Sequence, residues 1–138
     1  MLERLIEWLK GCPGMPGVIT ADGSEPRADT ASLRPKGVAA LSRAEDVTGG
    51  VTETLRADFI LELTFAKHGG DAALRNAEWL IGFQDWVRAE SEGGRAPRLG
   101  TLGATVFTAL GGSASAAPPD RGLCAYTVRL SARYQNRI

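Results

Sequence analysis

The sequence predicts an α+β fold: a mainly antiparallel sheet with a long β-hairpin, packed by an N-terminal helix and one longer central helix. Three observations predict it. From Val51 onward, Val51, Leu55, Ala57, Phe59, Leu61, Leu63 and Phe65 take the odd positions, with Glu53 the one exception, while mostly polar residues take the even ones. The segment 123–134 alternates as cleanly, with Cys124, Tyr126, Val128, Leu130, Ala132 and Tyr134 on one side. Period two marks a strand with one buried face. Between these strands, Ala73, Ala77, Leu80, Phe83 and Val87 recur at helical spacing, with Trp79, Ile81 and Trp86 widening the stripe.

Taken in order, Leu2, Leu5, Ile6 and Leu9 make residues 2–10 a short amphipathic helix, stopped by Gly11, Pro13, Gly14, Pro16 and Gly17. "GVIT" reads as a brief strand. The polar stretch 21–36, with two prolines and no periodicity, reads as an exposed loop. A weaker strand pattern covers 37–47. Gly49–Gly50 then supplies the positive φ angles of a hairpin turn. The simplest two-residue turn would set Arg43 against Arg56 and Asp46 against Glu53, and like charges facing each other are unfavourable, so the register stays open. Asp71 is the expected N-cap of the central helix, 72–90. "TLGATVFTAL", 101–110, is a strand, and the small-residue run 111–121 is an exposed loop before the last strand.

The chain's 138 residues suit a single domain with one core, 1–138. Hydrophobic residues at 43% and charged residues at 23% are ordinary for a folded protein. The formal net charge of zero excludes a strongly basic nucleic-acid binder and an acidic disordered tail. Acidic Glu3 and Glu7 precede Lys10, unlike a secretion signal. No apolar run approaches the roughly 18–20 residues that span a bilayer, so no membrane is expected. Cys12 and Cys124 lie far apart, so no disulfide framework is expected and a cytoplasmic setting is the default.

Catalytic patterns are absent from the sequence. His68 is the only histidine and has no acid or cysteine at metal-ligand spacing, so no metal and no cofactor are expected. Cys124 falls on the apolar side of its strand. A nucleophilic Cys124–His68 pair would need the two brought together in an activating environment, and nothing in the sequence does so. "GCPGMPG" lacks the Lys-Ser/Thr of a phosphate loop.

Length is the unusual feature. A strand of about seventeen residues spans roughly 56 Å at about 3.3 Å each. A compact domain of this size is roughly 37 Å across. Either the strand bends at a bulge, or the hairpin tip projects with Val47, Val51, Glu53 and Leu55 available to another chain. Arg129, Arg133 and Arg137, with Arg121 before the strand, form a basic strip near the C-terminus: a solvated sheet face, a contact with a neighbouring subunit, or a weak contact with passing nucleic acid. Trp79 lies at the flank of the central helix, a core residue or a partner contact.

Several of these elements resemble the tail terminator (tail completion) proteins of long-tailed bacteriophages, often labelled minor capsid proteins. The resemblance rests on Phe59, Leu61, Leu63 and Phe65 before a helix carrying Phe83 and Trp86, and on Tyr126, Leu130 and Tyr134 in the closing strand. It covers about residues 37–136 and excludes the segments 21–36 and 111–118. It implies a virion protein, assembled in the host cytoplasm, that forms a ring of six subunits at the head-proximal end of the tail tube. Such a ring stops tube polymerisation and offers a surface for head joining. The implied partners are the tail tube protein and a neck or head-completion protein. Viral DNA would pass through without specific binding, and no small-molecule substrate is implied. A neck or connector protein, another tail-assembly protein, and a small enzyme or ligand-binding domain using Cys124 and His68 remain the alternatives.

Overall fold

The computed structural model describes residues 1–21, 29–66, 72–115 and 123–138. Its elements are α1 (Leu2–Lys10), β1 (Val18–Thr20), β2 (Thr30–Glu45), β3 (Val51–Ala66), α2 (Ala72–Glu92), β4 (Leu102–Ser115) and β5 (Leu123–Arg137). The strands make a five-stranded sheet in the order β1-β2-β3-β5-β4. Only the short β1–β2 pairing is parallel. The fold is α+β, with the N-terminal and central helices the sequence predicts.

One face of the sheet carries the core. Ala57, Phe59, Leu61 and Leu63 of β3 bury against Tyr126 to Tyr134 of β5, with Ala31 and Leu33 of β2 and Phe107 and Ala109 of β4. Helix α1 closes this layer with Leu5 and Leu9, and α2 closes it with Leu80, Phe83 and Val87. Trp8 bridges the two helices to the sheet, its ring centroid 5.1 Å from Trp86 and 4.7 Å from Phe107. Removing an aromatic from such a layer typically costs about 3–5 kcal/mol.

Four strands are long, from 14 to 16 residues. Strand β3 is therefore a central strand of a long sheet rather than half of a bare ribbon. Its far end is paired on both sides within the same chain: Thr52 faces Ala44 and Arg137, and Leu55 faces Ala40 and Tyr134. The expected two-stranded projection is corrected to a three-stranded end, β2-β3-β5. The bulges lie in β2, between Pro35 and Gly37 and between Ala40 and Ser42.

The turn spans five residues, 46–50, rather than two. Glu45 pairs with Val51, and Arg43 faces Glu53, an opposite-charge pair in place of the like-charge one. Gly49 takes φ of 86° at the tip. Two loop expectations are also corrected. Residues 30–36 belong to β2 and residues 111–115 to β4. Asp71 and His68 lie outside the described residues, as do 22–28 and 116–122.

Candidate interaction surfaces

Hydrogen-bond alternation shows which strand edges are free. The Val51 carbonyl accepts from the Ile138 amide at 2.9 Å, so odd-numbered β3 residues bond towards β5 and even-numbered ones towards β2. Their β2 partners, Ala44, Ser42, Ala39 and Gly37, point inward. Leu33, Pro35, Val38, Ala40, Arg43 and Glu45 consequently turn their backbone polar groups outward. Pro35 fits this edge because it has no N–H to leave unpaired. Strand β1 covers β2 only at Thr30–Ser32. From Arg34 to Glu45 both faces of β2 are exposed, including the apolar side chains of Val38 and Leu41.

The opposite edge is treated differently. The Ser91 hydroxyl of α2 accepts from the Phe107 amide at 2.9 Å and donates to the Thr105 carbonyl at 3.4 Å. The Gln84 side chain donates to the Gly111 carbonyl at 2.8 Å. Helix side chains thus occupy the outward ladder of β4, a recognised way of blunting an edge. One edge is capped and the other is open.

The hairpin tip is rigidly built. Asp46 Oδ1 accepts from the Thr48 amide, the Thr48 hydroxyl and the Gly50 amide at 2.7–2.9 Å. The Asp46 carboxylate also faces Arg137 at 3.9 Å. The Thr48 hydroxyl, then the Gly50 and Thr48 amides, hold the Asp46 carboxyl below its usual range. Val47 stands fully exposed at this tip, whereas Val51, Glu53 and Leu55 are half-buried and Leu55 packs against the core.

Trp79 is anchored inside its own chain. Its ring stacks on Phe83 at 5.4 Å, meets Phe65 edge-on at 5.2 Å, and its Nε1–H donates to the Pro13 carbonyl at 2.9 Å. The Trp79 indole lies so close to Gly14 that an added Cβ would sit 2.5 Å from Nε1, and Gly14 has φ of 79°. Only glycine suits that position. With Cys12, Pro13, Gly82, Phe83 and Trp86, Trp79 lines a small apolar pocket.

Arg129 and Arg133 stand exposed on the sheet face that no helix covers, opposite Leu110 and Val106 of β4. On the same face, Arg34 pairs with Glu62 and Arg56 with Asp58. Among the described residues no carboxylate pairs with Arg129 or Arg133. Cys124 is half-buried opposite Phe65. Cys12 is buried, and burial, reinforced by the charge of Glu90, pushes its thiol up to about 11. A thiol so shifted is a poor nucleophile at neutral pH. Among the described residues no group of His, Cys, Asp or Glu could hold a metal ion, and no helix is long and apolar enough to cross a membrane.

The chain matches no protein-family model and no curated protein.

Proposed function

We propose that the chain is a structural, non-enzymatic virion protein of the tail-terminator kind, forming a ring at the head-proximal end of a phage tail tube. The observation that supports this most directly is the distal part of β2, exposed on both faces, apolar at Val38 and Leu41, and open along its edge. A monomer in this state leaves uncovered an edge that Pro35 and two bulges blunt only in part, whereas helix side chains cover β4. An assembling protein gains by leaving such an edge for a partner. The resemblance of the element pattern to tail terminators supports this kind of assembly, and a hexameric ring with tube and neck proteins as neighbours is the expected form.

Light scattering on purified protein, alone and with tail tubes, tests the reading together with imaging of labelled virions. The expected result is a ring-sized oligomer, formed freely or on the tube, and label at the head end of the tail. A particle that stays monomeric under both conditions and never marks the tail overturns it.

A further inference from the structure

Two surfaces on opposite sides of the molecule match each other. The first is the bare face of the sheet. Val106 and Leu110 are 54% and 62% exposed there, and β5 sets Arg133 and Arg129, with which no carboxylate pairs among the described residues, directly beside them. The second is the outer stripe of α2. Leu74, Glu78, Ile81, Asp85, Arg88 and Glu92 recur every three or four residues, facing away from the buried Leu80, Phe83 and Val87. Leu74 and Ile81 are 62% and 63% exposed, and carboxylates flank them. Over its length α2 has four carboxylates against two arginines. Asp85 is engaged by Arg88 at 3.2 Å and Glu90 by Arg95, which leaves Glu78 and Glu92 as the acids of the outer stripe with no cation paired to them among the described residues.

We infer that the outer stripe of α2 docks on the bare sheet face of a second copy of this chain, head to tail. Leu74 and Ile81 are spaced by about 10 Å along the helix. Val106 and Leu110 are spaced by about 13 Å along the strand. The apolar pairs are thus of similar pitch, and flexible arginines absorb the difference. Glu78, and Asp85 on exchanging its Arg88 contact, meet Arg129 and Arg133, with which no carboxylate pairs among the described residues of their own chain. The contact places a helix layer on an uncovered sheet, the usual way a half-buried sheet is completed. Its two patches differ, so each copy uses one patch on each neighbour, and the array closes into a ring if the rotation permits. The inference rests on the self-association proposed above and adds to the β2 edge a second, distinct pair of faces.

A double variant, Ile81→Cys with Leu110→Cys, tests the assignment in the full chain. The two positions lie on opposite sides of the sheet, so no disulfide can form within one molecule. Mild oxidation is expected to give a covalent ladder of dimers and higher species that the wild-type chain, with Cys12 and Cys124 alone, does not give. Reversal of the basic patch (R129E, R133E) is expected to weaken association by roughly tenfold or more. Adding E78R and D85R to the same chain is expected to restore it. A wild-type ring that gives no ladder in the cysteine variant and survives R129E/R133E overturns this inference and leaves the proposed function standing. A wild-type chain that never associates, with or without tubes, overturns both.

Discussion

Asp46 shows how much one side chain can organise. Its carboxylate holds the turn amides of Thr48 and Gly50 and reaches Arg137 at the end of β5. Asp46→Ala is expected to speed hydrogen exchange at Thr48 and Gly50 while leaving core amides protected. Acidification should act in the same direction. Because the folded-state pKa of Asp46 is lowered, its contribution is present above the ordinary carboxyl range and fades as pH falls from about 4. Cys12 gives the opposite sign. Its thiol is raised from 9.0 to about 11, so the unfolded chain ionises first as pH climbs. Urea midpoints are expected to fall between those two values in wild type, and to fall less in Cys12→Ala. At pH 8 iodoacetamide should leave Cys12 unmodified until the chain is unfolded.

At the scale of elements, alternation in β3 and β5 made the two inner strands readable: apart from Thr64, their buried residues lie on the predicted apolar side, with Val51, Leu55, Phe65 and Cys124 half-buried towards the strand ends. Strand β2 was partly hidden because "TASLRPK" has the composition of a loop. Pro35 and Lys36 are tolerated in a strand here only because they lie on its free edge. Strand β4 was cut short at Gly111 because a bulge between Gly111 and Ser113 lets the strand continue through a glycine pair. The hairpin register was unreadable for another reason: the Asp46-centred turn adds three residues that no two-residue template anticipates. The capping of β4 by Ser91 is a tertiary contact with no sequence periodicity to announce it. Ser91→Ala removes the partner of the Phe107 amide, so a loss of about 1 kcal/mol is expected in chemical denaturation. Faster exchange at the Phe107 amide should accompany it.

For the whole molecule, the decisive features are one covered and one bare sheet face, and one capped and one open edge. The position of Arg129 and Arg133 on the outer side was legible from alternation alone. Val51 and Leu55 were read as a free tip, yet both belong to strand positions paired on either side, and Leu55 packs against the core. Sequence length could not reveal this, since it depends on β5 running alongside to Arg137. The exposed residues are instead Val38, Leu41 and Val47. Val38→Asp with Leu41→Asp is therefore expected to leave circular dichroism and thermal unfolding nearly unchanged while reducing the self-association proposed for the β2 edge. A collapse of the monomer in that variant would place both side chains in the core after all.

The unequal edges have a consequence for uncontrolled growth. Strand addition needs a donor and an acceptor on every unit for a fibre to lengthen. Among the described residues β2 runs uncovered from Arg34 to Glu45, whereas on β4 Ser91 and Gln84 already engage the Thr105 carbonyl, the Phe107 amide and the Gly111 carbonyl. The two margins are thus unequal templates, and stacking of copies edge to edge is hindered on the β4 side.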